Sequence, residues 1–417
     1  MSRRIDKKIL SWALYDTANS VFFTTVMAGF FPIFFKQYWS SSVSATASTE
    51  RLGWILAISG FILAVLSPTL GVISDKKKSK KSFLFWTMLA GVLCTVGLYF
   101  VPEGDWSSAA ILYGTGLFMC SASCVFYDSL MMTVASTKQY DFVSSLGYSL
   151  GYLGGGILFT LNVLMYLHPD WFHISSPVEA IKLSFLTVGV WWLLFSIPLL
   201  RYVPEPNCEE TGESIFQLTR ATLRELKTTI KAIFKNKNLF YFVFAFWLYI
   251  DGVYTVMSMA VDFGMSLGFL PADLIKALLI TQFVGFPAAY LFGVLASKYS
   301  NKNLILGCLG IYAFVIFGAS QMTSAAHFFI LATVIGIAQG GVQALSRSLF
   351  AQLIPAEKSG EYFGFFNLLG KFASVLGPIL IAVFANITAD SRKTILSLLI
   401  LVGAGALVLL KVKKPLV

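Results

Sequence analysis

The chain has 417 residues, of which 57% are hydrophobic and 12% charged, with a formal net charge of +10. Soluble domains carry about 25% charged residues, so a water-soluble enzyme, a disordered chain and a small disulfide scaffold are excluded. The positive excess is no nucleic-acid footprint, because it collects in loops on one face, where it sets membrane topology.

A membrane-spanning helix needs ~20 apolar residues. Apolar runs of that kind fall near 10–37, 52–73, 82–101, 108–136, 144–166 and 180–201, and again near 239–261, 274–296, 304–322, 327–350, 362–386 and 394–411. Lipid-exposed backbone must satisfy its polar groups within the segment, so the spacing predicts an all-α integral membrane protein with twelve transmembrane helices. The opening MSRRIDKKIL is basic but leads into an apolar run too long for a cleavable signal, with no small-residue cleavage site. Cys94, Cys120, Cys124 and Cys308 fall in spans and Cys208 in a basic loop, so no disulfide framework is expected.

Lys and Arg orient the spans. They cluster at the N-terminus (Arg3, Arg4, Lys7, Lys8), after span 2 (Lys76, Lys77, Lys78, Lys80, Lys81), between spans 6 and 7, and in the tail (Lys411, Lys413, Lys414). The opposite loops are poor in both, which predicts cytoplasmic termini. The segment 202–238 breaks the rhythm with PEP at 204–206, the polar NCEETGES and a basic stretch suited to a surface helix. It separates an N-terminal six-helix half, 1–201, from a C-terminal half, 239–417. The halves echo each other. Asp128-Ser129-Leu130 precedes Arg347-Ser348-Leu349 by 219 residues, and Leu150-Gly151 precedes Leu369-Gly370 by the same offset. Leu14-Tyr15 and Asp16 are echoed by Leu248-Tyr249 and Asp251. Parallel six-helix repeats are the architecture of major facilitator transporters, whose site lies between the halves.

GVISDKKKSKK at 71–81 resembles the facilitator signature between helices 2 and 3, with Lys78 where a second Gly is usual. Asp75 could accept from a neighbouring helix N-terminus and, with Lys76, latch one side of the protein. Otherwise this stretch is a basic turn that fixes topology. The second half carries a decayed copy, GVLASKYSNKN at 293–303, with Ser297 in place of the Asp.

Ionisable groups inside spans mark candidate sites because charge there is costly. Asp16 shares its helix face with Asn19 and Phe23. Asp251 lies about twelve residues into span 7, or ~18 Å, with Thr255 on its stripe. Lys371 sits at similar depth in span 11 beside Asn367, which suggests an Asp251–Lys371 pair. Such a pair is either structural or part of a coupling site. Asp128 and Arg347 match in spans 4 and 10, and Gln339, Gln343 and Arg347 form one polar stripe. Arg347 offers a fork for a carboxylate, from a solute or from an acidic gate residue, and its depth favours the gate. Gly147, Gly151 and Gly155 form a close-packing face, with Tyr148 and Tyr152 on the adjacent stripe. His168, Asp170 and His173 do not complete a metal site. No P-loop, GxSxG or HExxH occurs, so neither a metal, a cofactor nor an enzymatic reaction is expected.

Longer blocks carry a more specific likeness. SWALYDTANSVFFTTV in span 1, VFYDSL at 125–130, SLGYSLGYLGGG at 145–156, LYIDGVYTV at 248–256, QGGVQALSRSLFAQLIP at 339–355 and EYFGFFNLLGKFASVLGPIL at 361–380 resemble the vacuole-effluxer-like branch of the major facilitator superfamily. The likeness runs from residue 11 to about 410, although Asp128 stands where the family pattern has Asn. It implies twelve helices and a solute carrier, with efflux of neutral amino acids as the fungal precedent. The expectation is a monomeric secondary transporter in a bacterial cell membrane. It would move a small polar solute, an amino acid first, by alternating access, coupled to protons. The rivals are an exporter of a larger amphipathic metabolite or drug, a non-transporting sensor on a carrier fold, and a membrane enzyme.

Overall fold

A computed structural model describes residues 6–43, 45–77, 79–205, 228–372, 376–388 and 391–413. Ten helices among these are long and apolar enough to cross a membrane. They are α1 (Lys7–Trp39), α2 (Ala45–Lys76), α3 (Lys80–Phe100), α4 (Trp106–Val134), α5 (Thr137–Leu167), α6 (Pro177–Tyr202), α7 (Lys237–Ser266), α8 (Pro271–Leu295), α9 (Asn301–Ser320) and α10 (Ala325–Leu353). The eleventh crossing, expected as one run over 362–386, is described as two pieces, α11 (Ser359–Phe372) and α12 (Leu376–Thr388). A shorter helix, α13 (Ile395–Leu409), makes the twelfth. Most of the expected 202–238 connection, residues 206–227, lies outside the described residues.

Short polar residues start the helices where the sequence leaves the apolar pattern. Asp105 accepts from Ser108 N at the head of α4, Ser176 from Glu179 N at α6, and Asn236 from Asn238 N and Leu239 N at α7. Pro177 and Pro271 occupy first-turn positions where no N–H is needed. Beyond Val21, α1 widens into π-helical turns over Phe22–Phe30 and Phe35–Trp39, and its aromatic run packs into the core of the first half against Tyr113 and Phe185, with Phe23 alone of these rings on the central cavity. Exposed Trp54, Phe61, Leu93, Ile111, Phe317 and Leu407 ring the outside, where lipid takes the place of core.

The first half is knitted by small residues. A Cβ at Gly151 would meet Ser20 Oγ at 2.6 Å, and one at Gly155 would meet Thr24 Cγ2 at 3.1 Å. The expected glycine face of span 5 is therefore the seam on which α1 and α5 close, an approach only bare backbone allows. Two of the seams between the halves lie on either flank of the bundle. In one, α5 lies against α8, with Gly285 under Tyr152 and Gly293 under Ser145. In the other, α2 lies against α11, where Ser67 Oγ donates to Gly364 O at 3.0 Å. With an even number of crossings, the heads of α1 and α7 and the end of α13 share one side of the bundle, the terminal side. There Lys413 N donates to Asn238 Oδ1 at 2.6 Å.

Candidate functional site

The polar groups scattered along the spans converge between the halves. Arg347 on α10 is 2% exposed. Its Nη1 donates to Asp128 Oδ1 at 3.0 Å and its Nη2 to Asp16 Oδ2 at 3.2 Å. Nε donates to Ser144 Oγ and Nη2 to Ser144 O, each at 2.9 Å. Asp16 Oδ2 also accepts from the Tyr127 hydroxyl at 2.8 Å, and Asp128 Oδ2 from the Asn367 amide at 3.1 Å. Two carboxylates share one guanidinium, so the cluster itself retains one negative charge when both are ionised. Asp128 and Arg347 are the pair at the 219-residue offset. Positions related by a two-fold touch each other only near the axis, so the pseudo-symmetry axis passes through this cluster.

The cluster floors a cavity of about 480 Å³. Asn19, Gln343 and Asn367 line it beside the charged groups. The Asn19 and Gln343 amides reach the Cys124 and Met257 sulfurs at 3.8 Å, weak contacts that leave both amides available to a polar solute. Farther from the floor the lining turns apolar, with Phe23, Met27, Phe263 and Phe328. Met322 and Phe328, at the ends of α9 and α10 away from the termini, complete it, so the cavity extends to the side opposite the termini.

Below the floor the terminal side is closed. Asp75 Oδ1 and Oδ2 accept from Gly360 N at 3.0 Å and Glu361 N at 2.9 Å, at the head of α11. Lys80 Nζ lies 2.7 Å from Asp75 Oδ1 and donates to Ser359 Oγ, also at 2.7 Å. A Cβ at Gly71 would stand 2.1 Å from Gly360 O, so the two backbones touch. Lys76 is half-buried at the end of α2. A second closure lies across from the decayed signature copy. There Asp141, at the head of α5, accepts from Asn301 Nδ2 at 2.5 Å and Gln352 Nε2 at 2.8 Å. The carboxylate absent at Ser297 is supplied by the facing half, a relation no pattern within one repeat reveals.

Asp251 is fully buried away from the cavity lining. Its carboxylate accepts from Leu376 N at 3.0 Å, Gly377 N at 2.7 Å and Thr255 Oγ1 at 3.3 Å. The carboxylate thereby caps two consecutive backbone N–H groups that the eleventh crossing presents to it in a buried place. The Lys371 side chain lies outside the described residues. Sequence reasoning passed over Trp12, Tyr127, Ser144, Lys80, Ser359 and Asp141 as ordinary aromatic, hydroxyl or loop residues. The 219-residue offset pointed only to the neighbourhood of Tyr127, and the candidate Asp16 to that of Trp12. Among the described residues no group of three His, Cys, Asp or Glu is placed to hold a metal ion.

A family model described as vacuole effluxer Atg22-like matches residues 53–139 and 132–415. The chain is 38% identical over 411 residues to the MFS-type transporter YxiO of Bacillus subtilis, covering 98% of this chain and 95% of the relative. It is 22% identical to autophagy-related protein 22 of Eremothecium gossypii, covering 96% and 89%. Against the Yarrowia lipolytica protein of that name it is 27% identical, but the match spans only 48% of that relative. In fold it resembles the proton:xylose symporter XylE, with TM-score 0.72, 14% identity and coverage of 98% and 95%. It also resembles the human organic anion transporter MFSD10, with TM-score 0.71, 12% identity and coverage of 97% and 99%.

Proposed function

The chain belongs to the vacuole effluxer Atg22-like family of major facilitator transporters, and from that premise we propose that it exports a small polar solute, an amino acid first, by proton-coupled alternating access. The observation that carries this reading is the buried Asp16–Arg347–Asp128 cluster flooring a cavity between two halves that are latched on the terminal side. In this reading Asp16 and Asp128 exchange the proton, because separating Arg347 from either carboxylate leaves a buried charge that protonation relieves. Asn19, Gln343 and Asn367 contact the solute. Asp75, Lys76 and Lys80 gate the terminal side, and Asp251, with Thr255, holds the eleventh crossing in register. The Lys and Arg bias supports a cytoplasmic terminal side, and on this reading the protein is a monomer of a bacterial cell membrane, seen in its outward-facing form.

The test is uptake into liposomes by the purified protein, over a panel of amino acids, peptides and sugars, with and without a proton gradient. Accumulation of one class that collapses with the gradient supports the reading. Gradient-independent equilibration would reject the coupling, and no flux of any solute would reject transport. A second reading, export of a larger amphipathic solute, draws on the cavity's apolar walls. Including lipophilic amines and dyes in the panel separates the two.

A further inference from the structure

The two sides of the floor have different origins. Arg347 is the second half's contribution, and nearly everything around its guanidinium is the first half's. Trp12 and Asp16 come from α1, Tyr127 and Asp128 from α4, Ser144 and Tyr148 from α5. The guanidinium carbon lies 4.3 Å from the Tyr148 ring centre, 5.0 Å from that of Trp12 and 5.4 Å from that of Tyr127. All three fall within the ~6 Å at which a cation gains from an aromatic face.

The socket is prebuilt. Trp12 Nε1 donates to Tyr127 O at 2.9 Å, their rings stack at 4.4 Å, and Tyr127 in turn holds Asp16. None of these contacts requires Arg347. Gly147 covers the socket, and a Cβ there would stand 2.4 Å from Asp16 Oδ2 and 3.0 Å from Arg347 Nη2. The first half thus carries a box of three rings and two carboxylates shaped around a planar organic cation.

Opening the terminal side moves α10 away from α1, α4 and α5, and Arg347 leaves with it. Two buried carboxylates then face each other without a counter-charge, which is costly. A proton relieves one of them but makes no use of the rings. An organic cation satisfies both. We propose that this socket is the binding subsite for the ammonium or guanidinium end of the transported solute, and that Arg347 is a tethered competitor that expels that end as the halves close. The proposal rests on the transporter reading of this cavity and narrows its solute class to compounds bearing such a group, zwitterionic amino acids included. It also gives release a direct cause: the protein's own cation takes back the site.

The experiment uses full-length protein in detergent and methylguanidinium, methylammonium and choline chlorides as probes, each against sodium chloride at equal ionic strength. Spin labels at exposed Lys138 and Glu357, on opposite halves of the terminal side, report opening. In the otherwise unaltered protein the organic cations, but not sodium, should lengthen the label distance, a change that mere filling of a hole would not cause. Thermal unfolding of Arg347→Ala should rise with the logarithm of probe concentration, and the rise should vanish when Asp16→Asn and Asp128→Asn are added. Equal responses to sodium and to the organic cations would overturn the proposal. Should Arg347→Ala fail to fold, the label distance decides alone. Liposome flux separates the two readings. Equal transport of amine-free isosteres would refute the socket and leave a transporter, whereas cation-driven opening without any flux would refute the transporter and leave the socket.

Discussion

Asp75→Asn isolates the electrostatic part of the terminal-side latch. The carboxylate accepts two backbone N–H groups from the head of α11 and the Lys80 ammonium, and its side chain is 9% exposed. An amide keeps one acceptor oxygen, so one backbone bond survives, while the other and the ion pair are lost. Hydrogen bonds to charged groups contribute ~1.5–3 kcal/mol each, and the surviving bond weakens as its acceptor becomes neutral. The closed form should lose ~3–6 kcal/mol, which at 1.4 kcal/mol per tenfold shifts the closed-to-open ratio by roughly 10²- to 10⁴-fold. The open form has no such contact to lose, so the whole loss appears in the equilibrium. Label distances between Lys138 and Glu357 should move to the longer population, with thermal unfolding still cooperative. Gly71→Val reaches the same end sterically, because its Cβ would stand 2.1 Å from Gly360 O, and it should open the terminal side with Asp75 intact. If neither variant lengthens the distance, the contacts between α2 and α11 do not control opening.

Asp16→Asn should abolish gradient-driven accumulation in liposomes and weaken, through its place in the socket, without abolishing, exchange of internal for external solute; normal accumulation would move the coupling role to Asp128. Asp251→Ala should lower thermal stability by ~2–3 kcal/mol, since it strands the Leu376 and Gly377 N–H groups in a buried place, and Asp251→Asn should recover part of that; equal stability of all three forms would reject the cap. Asp141→Ala should open the terminal side more weakly than Asp75→Asn, because it removes the acceptor of two neutral amides rather than a partner of an ion pair; label distances rank the two. Reporter fusions after residues 105, 170 and 325 should lie outside the cell, and a cytoplasmic signal from any of them would break the topology.

Composition and run length by themselves determined a helical membrane protein, because lipid leaves backbone polar groups no partner but their own helix. The offset between Asp128 and Arg347 was legible as a repeat, and the blocks around residues 339–380 as a family. What these residues do to one another was not legible, because a repeat compares positions along the chain while a site is built across it. Asp251 stood out on depth alone; its hydrogen bonds to the Leu376 and Gly377 N–H groups come from tertiary structure, because residue types along the chain do not announce which backbone a carboxylate will meet. Asp141 lies in a stretch that reads as an ordinary helix start, and becomes half of a closure only because α9 and α10 of the other half bring Asn301 and Gln352 to it. Asp16, Trp12, Tyr127 and Tyr148 are separated by up to 136 positions from one another and by up to 335 from Arg347. The rigid packing of the first half turns them into one socket, and only the docking of the second half puts a cation in it.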